Sequence, residues 1–419
     1  MFGVGLVSVP LTGLQMGSDD EKNGGKMALG ALISAYQEDE QGGLRALFPL
    51  AGRTLLEYQA RCVAAVGAAP IVVTVERIPA ALNEALERLR AEGIMIIPVS
   101  DGSEAASRFE AGSLILQVAD GLAPDVALLS KLTELAEPAI ATVPDDSAHQ
   151  DYERIDGVSR WAGAAIVDGH TLGSTAAMLG DWDLQSTLLR RTVQAGARHV
   201  PAGETGVLLA HRPEDLADFE RRLLVATRGE RKDWSSRYIL PIIEEIGTER
   251  LMDSSVRPDW LVVAALLLTF GAAFCFSRGW LWPALGLLVL STPLDLIGAR
   301  LASLRLQPLS PKHLGRRMLW PAAGLATLAL GWWSTNHGSS WGAFFAAWAT
   351  CAFAEAARIE KVGSNLPPQP WLFSRRNGIF LALPFAAAGW WVPYLAVMAG
   401  YAATSFFVVQ HFRHKLVRD

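Results

Sequence analysis

The stretch Ser291–Arg317, STPLDLIGARLASLRLQPLSPKHLGRR, places one carboxylate, Asp295, at the end of an apolar run. Arg300, Arg305, Lys312, Arg316 and Arg317 follow it. An acid at a membrane face beside five fixed cations is costly to keep there without a use. Guanidinium groups grip phosphate with paired N–H donors, so such a cluster suits a phosphate, a pyrophosphate or an anionic lipid headgroup. Arg300 is the residue expected to carry that ligand. Replacing it by Ala should abolish protection by the ligand, whereas Arg305→Ala should change little. The plainer role for these cations is to set membrane orientation and touch lipid phosphates.

The halves that position this cluster differ in composition. With 419 residues the chain predicts two domains or more. After Asp259 the acids are Asp295, Glu355, Glu360 and Asp419, against many Arg and Lys, so the net charge of −5 averages an acidic first half and a basic second half. All Trp but Trp161, Trp182 and Trp234 fall in the second half, as interfacial anchors do. Cys62, Cys275 and Cys351 form neither a CxxC nor a Cys/His ligand spacing, which excludes a disulfide framework and a zinc site as readings. Residues 1–26 are apolar at the start but lack a basic flank; they are expected to be a leader rather than a secretory signal, with Met16 or Met27 as alternative starts.

From Met27 the pattern is α/β. Ala28–Ala35 is a continuous apolar run, as for a buried parallel strand, and Ala69–Val75, Ile94–Val99 and Ser113–Val118 repeat it. Leu55–Val66 and Ala80–Glu92 read as helices. Strands alternating with helices predict a doubly wound parallel sheet, whose ligands bind beyond the carboxyl ends of the strands. The loops there are Gln37–Arg53 and Ala119–Asp125.

Here the chain resembles the sugar-phosphate nucleotidylyltransferases of GT-A type. The matching stretch is LRALFPLAGRTLLEY (Leu44–Tyr58): Arg45 and Pro49 match the family's pattern, and Arg53 stands where the family has a Lys. Asp120 in QVADG falls on the Asp of the family's metal site, Asp183 in GDWD stands as its second acid, and Glu153–Gly169 reads like its central strands. The resemblance implies substrate contacts for Arg45 and Arg53 and metal ligation by Asp120 and Asp183. The family's loop is Gly-rich so that N–H groups reach the phosphates. Here Glu38, Asp39 and Glu40 precede Gly42 and Gly43, and three acids are expected to repel a phosphate.

Between the halves, Pro213–Arg228 reads as a charged amphipathic helix. Ser235–Gly247 reads as another, with Tyr238, Ile239, Ile242, Ile243 and Ile246 on one face, suited either to the membrane surface or to packing on the soluble domain. Beyond it lie six apolar runs: Trp260–Phe276, Trp280–Leu294, Met318–Trp333, Trp341–Ala357, Ile379–Trp391 and Pro393–Val409. Arg and Lys concentrate in alternate connections, which predicts six spans with both termini cytoplasmic.

This half resembles the CDP-alcohol phosphotransferase family, whose signature is D-x-x-D-G-x-x-A-R followed by G-x-x-x-D-x-x-x-D. RKDWSSRY also looks like the segment before that family's first span. Four carboxylates there hold two divalent ions, and the last Asp is the base. Asp295, Ala299 and Arg300 match; Thr292 and Leu296 replace the first Asp and the Gly, and no Asp follows until Asp419. The resemblance implies a substrate site at Asp295, Ala299 and Arg300, metal at Asp295 and a CDP-linked substrate. His313 is a substitute base at best, and Glu355 is expected to pair with Arg358 or with a loop Arg. The two-domain order is similar to the bifunctional enzymes that make inositol-phosphate lipids.

The expected plan is therefore a leader (1–26), an α/β nucleotidyltransferase-like domain (27–227), a juxtamembrane linker helix (228–258) and a six-helix phosphotransferase-like membrane domain (259–419). Loss of both motifs points to a catalytically degenerate protein that binds an anionic lipid or nucleotide or holds a partner. The alternative is an active lipid-headgroup transferase needing Mg or Mn. The expected setting is the inner membrane, multi-pass, as a homodimer through Ala322, Ala323, Ala326, Ala346 and Ala347. No nucleic-acid partner is expected.

Overall fold

The computed structural model describes residues 28–178, 183–203, 207–227, 233–254, 256–307, 314–338, 340–361 and 369–416. The leader, Lys312 and His313 lie outside them. The chain divides into two compact units, 1–223 and 224–419.

The first unit runs β1 (Leu29–Ser34), β2 (Pro49–Leu50), β3 (Arg53–Thr54), α1 (Leu55–Ala65), β4 (Ile71–Thr74), α2 (Ala80–Ala91), β5 (Ile96–Val99), α3 (Gly102–Ser107) and β6 (Leu114–Val118). It continues with β7 (Leu122–Pro124), α4 (Val126–Glu134), β8 (Ala139–Pro144), β9 (Ser159–Asp168), α5 (Gly169–Met178), α6 (Leu184–Gln194), β10 (Arg198–Pro201) and β11 (Val207–Leu209). The division between units falls inside α7 (Leu216–Ala226).

The main sheet has the order β10-β8-β9-β6-β1-β4-β5. Every pairing in it is parallel except those of β9, which is antiparallel to β6 and β8. The expected strands are its β1, β4, β5 and β6. The apolar runs of β1, β4 and β6 are buried on both faces, as parallel strands covered by helices must be, while β5 at the sheet edge is partly exposed. Each Val, Leu or Ile so buried contributes about 1.5–3 kcal/mol. At the start of α1, Thr54 Oγ1 accepts from the Glu57 N–H (3.3 Å) and Glu57 Oε2 accepts from the Thr54 N–H (3.0 Å). This reciprocal cap is worth about 1 kcal/mol. The buried Glu57 also accepts from Arg88 Nη2 (3.0 Å) and Arg61 Nη2 (3.4 Å), which ties α1 to α2.

The second unit contains α8 (Trp234–Tyr238), α9 (Pro241–Met252), α10 (Pro258–Ser277), α11 (Leu281–Leu304), α12 (Leu314–Asn336), α13 (Gly342–Lys361), α14 (Arg375–Ala387) and α15 (Trp391–Leu416). The single helix expected over Ser235–Gly247 is thus two, because Pro241 has no N–H to continue α8 and instead opens α9. All six apolar runs are helical. Among the described residues, however, only Pro258–Ser277, Leu281–Leu304 and Trp391–His414 are long and apolar enough to cross a membrane. The six-span expectation is corrected to three candidate spans. The 13 residues of α14 rise only about 20 Å, against a hydrocarbon core of roughly 30 Å. Charges stand at the other two: α12 opens beside Arg316 and Arg317, and α13 ends in Glu355, Arg358, Glu360 and Lys361.

Helix α9 is inverted relative to a water-soluble helix. Glu244 and Thr248 face inward and are buried, while Ile242, Ile243 and Ile246 are exposed, as are Tyr238 and Ile239 just before it. Gly247 explains the close approach: a Cβ there would stand 2.4 Å from Ile297 Cδ1 of α11. The small residues expected to receive a second chain are largely used within the unit, since Ala322, Ala326 and Ala347 are fully buried.

Candidate functional site

In the first unit, β1 and β6 are parallel neighbours, and the strand order reverses between them: β4 and β5 lie to one side, β9, β8 and β10 to the other. The crevice beyond such a reversal is where doubly wound sheets bind ligands. Asp120 sits there, two residues past β6 and 2 % exposed. Its Oδ2 accepts from the N–H groups of Tyr36 and Gln37, each at 2.7 Å, and this joins the ends of the two strands. Its own N–H donates to Gln185 Oε1 at 3.3 Å. Its Oδ1 is buried and has no partner among the described residues. Gly121 must follow it, because φ is +74° and a Cβ would come within 2.6 Å of the Ala210 carbonyl.

Burial pushes the Asp120 carboxyl up to about 6, against the downward pull of the Gln37 and Tyr36 N–H groups and of Arg45. A carboxyl whose folded pKa lies above its unfolded value costs stability as pH rises through that window and stays costly above it. Asp120→Asn lacks this fall. Between pH 4 and pH 7 the stability difference between the two proteins should therefore shift by about 2 kcal/mol in favour of Asn. Unfolding of both proteins at each pH measures it, and a pH-independent difference would refute it.

Asp183 caps α6, accepting from the N–H groups of Gln185 (3.3 Å) and Ser186 (3.1 Å). The Tyr36 hydroxyl also donates to Asp183. Burial, then Asp183 itself, pushes that hydroxyl far above its usual range. Asp120 and Asp183 are thus brought to the same sheet end, bridged by Tyr36. By donor type they could hold a divalent ion, with the orphan Oδ1 as the open position. Among the described residues no group of three or more His, Cys, Asp or Glu forms a metal-holding cluster.

Arg45 donates from Nη1 to Gln37 Oε1 at 2.9 Å and keeps a buried Nε with no partner among the described residues. It lines a cleft of about 580 Å³ with Glu38, Asp39, Glu40, His211 and Arg212. The acids of this loop are not left to repel a ligand together, as the sequence suggests. Glu38 pairs with Arg77 (2.6 Å) and Glu40 with Arg212 (2.8 Å), while Asp39 Oδ1 accepts from the N–H groups of Gln41 and Gly43 and so builds the turn. Arg53 does not line this cleft. It is half-buried in β3, and burial first, then Arg61 and Arg88, lowers its pKa while Glu57 and Glu92 oppose them.

In the second unit Asp295 is held by two guanidinium groups, Arg376 Nη2 at 2.6 Å and Arg375 Nη2 at 3.2 Å. Arg376 reaches on to Asp233 at 3.0 Å, and Arg375 Nη1 donates to Thr269 and Ser291 hydroxyls at 3.4 Å. Asp233 caps α8 by accepting from the Ser236 N–H. Burial pushes it up, but Arg376 and the Ser235 and Ser236 donors prevail and hold it below the usual carboxylate range. These partners are the residues that sequence reasoning misses. The available signal is an Arg pair opening an apolar run in a half with few acids. A carboxylate matched by two cations does not fit a divalent-ion site, and among the described residues no group of three or more His, Cys, Asp or Glu gathers there.

The rest of the motif is also internal. Arg300 is 5 % exposed, 3.4 Å from Glu244 through Nη1, and donates from Nη2 to the Leu224 carbonyl at 2.8 Å. Ala299 is half-buried beside it, and its carbonyl accepts from the Ser303 hydroxyl. Arg305 is buried too, with donors on the carbonyls of Leu251, Met252, Ser254 and Val256. Glu355 accepts from Arg358 and from Trp320 Nε1.

No protein-family model matches this chain, and no curated protein matches it. Among solved structures, a Bacillus anthracis protein assigned as a glucose-1-phosphate thymidylyltransferase, crystallised with sucrose, is similar to it. The TM-score is 0.38 and the identity 10%, over 46% of this chain and 95% of that one.

Proposed function

We propose that this is a membrane protein on the two-domain plan of phospholipid-headgroup synthesis whose helical unit binds an anionic ligand and does not transfer phosphate through divalent metal. The carrying observation is the pairing of Asp295 with Arg375 and Arg376. Two guanidinium groups supply there the charge that a divalent ion would bring, so the site is electrostatically closed to one. The three apolar helices long enough to span support a bundle associated with the inner membrane, with Lys and Arg gathered toward its cytoplasmic side. The first unit is read as nucleotidyltransferase-like from its sheet order and from Arg45, Asp120 and Asp183.

Mn²⁺ binding to the purified full chain, followed by electron paramagnetic resonance, tests this. No signal should depend on Asp295. A bound ion lost in Asp295→Asn and kept in Asp120→Asn overturns the reading. An ion lost only in Asp120→Asn supports a second reading, in which the first unit still handles a nucleotide with metal. The buried, unpartnered Oδ1 of Asp120 favours that reading.

A further inference from the structure

Inside the helical unit a cavity of about 820 Å³ opens between α12, α13, α14 and α15. This volume falls within the roughly 300–1,000 Å³ of small-molecule sites. Helices α12 and α13 run antiparallel along it. Trp320 Nε1 meets Glu355 at 2.8 Å, and one turn further along the Cys351 Sγ meets the Gly324 carbonyl at 3.7 Å. The walls are apolar, built from Leu325, Leu328, Cys351, Ala354, Ile379 and Met398.

The polar groups along the walls are already satisfied. The hydroxyl of Thr327 donates to Ala323 O (3.0 Å) and that of Thr350 to Ala346 O (2.8 Å), so neither is left seeking a partner. The Trp320 N–H is taken by Glu355. An occupant therefore meets almost no hydrogen-bonding demand until it reaches one end.

That end carries Arg317, Arg358 and Arg375, because α12 and α14 begin there and α13 finishes there. Two of these charges are matched. Arg358 is clamped by Glu355 through Nε (2.9 Å) and Nη2 (2.5 Å), and Arg375 is paired with Asp295. Arg317 has no acidic partner among the described residues. The cavity is thus an apolar trough with one uncompensated cation at its rim.

We propose that this cavity holds an acyl chain of an anionic lipid, with the headgroup phosphate on Arg317. The proposal rests on reading the helical unit as membrane-embedded, where lipid is the surrounding solvent. It names the ligand class of that unit and places the headgroup on Arg317 rather than on Asp295, whose partner Arg375 also lines the cavity. A chain fits walls that ask for no hydrogen bond, and a negative headgroup answers the one unmatched charge at the end where Lys and Arg collect.

Cys351 lines the cavity, whereas Cys62 and Cys275 are buried. Alkylation of Cys351 by a small maleimide, in full-length protein stripped of lipid in neutral detergent, therefore reports occupancy. Added phosphatidylglycerol should slow it by about tenfold or more and phosphatidylcholine by less than about twofold, a discrimination worth roughly 1 kcal/mol. Inorganic phosphate should not slow it. Arg317→Glu should remove the protection by phosphatidylglycerol and Arg317→Lys should keep most of it; both change an exposed side chain and should fold. Equal protection by both lipids, protection by phosphate alone, or no protection overturns the assignment. Any of these, with Mn²⁺ still absent from Asp295, leaves the preceding reading standing.

Discussion

Asp295→Asn is expected to lower the stability of the helical unit by about 3 kcal/mol, because it strips a half-buried charge from two largely buried guanidinium groups at once. Arg376 keeps Asp233, but Arg375, whose side chain is 9% exposed, is left with only the Thr269 and Ser291 hydroxyls. The sign is the informative part. An acid held unpaired for chemistry stores strain, and removing it commonly stabilises the protein. An acid that neutralises two arginines does the opposite. Thermal unfolding in detergent reads the difference. The double variant Asp295→Asn with Arg375→Gln should recover about 1–3 kcal/mol of the loss. A stabilised Asp295→Asn protein would refute the pairing and return this residue to the list of ligands for metal.

Arg305→Ala is expected to cost about 4 kcal/mol, or to prevent accumulation of folded protein. Its guanidinium donates to Val256 O (2.6 Å), Met252 O (3.0 Å), Leu251 O (3.3 Å) and Ser254 O (2.5 Å), and its side chain is 1% exposed. It closes the C-terminal end of α9 and the connection to α10, where helix carbonyls would otherwise be orphaned. The sequence reads Arg305 as one of the interfacial cations; the structure shows a buried cap instead. Lysine brings three donors on a point charge in place of the planar fork, so Arg305→Lys should recover less than half. Arg316→Ala, at an exposed position, should stay within about 0.5 kcal/mol. Chemical unfolding, with proteolysis of the α9–α10 connection, ranks the three variants, and equal small effects would refute the cap.

The sheet is legible because a strand buried on both faces is a continuous apolar run bounded by turn residues. β1, β4, β5 and β6 all have that signature. The helices are legible from run length for the same reason. Their fitness to cross a membrane is not, since α14 is a short apolar helix with the same local pattern as a longer one. Asp120 is reached by resemblance and by its place after a strand. An acid before a Gly is also an ordinary turn, and what distinguishes it is an oxygen left without a partner. Asp295 is legible as an oddity. Its role is not, because Arg375 and Arg376 lie 80 and 81 residues further on, and no periodicity joins positions so far apart. The burial of Arg300 is hidden for the same reason: its partner Glu244 stands 56 residues before it, on a helix whose polar side faces in.

That inverted helix bears on how the chain can be cut. Glu244 and Thr248 are turned toward α11, and Ile242, Ile243 and Ile246 are left outside. A fragment that keeps α9 but lacks α11 would lose the neighbour that receives Glu244 while keeping the isoleucines in water. Such a piece would precipitate, or the helix would roll over and bury the wrong side. A water-soluble version of the α/β unit should therefore stop between α7 and α8. Truncations ending after Met252 should fail in expression trials even though they contain the whole sheet.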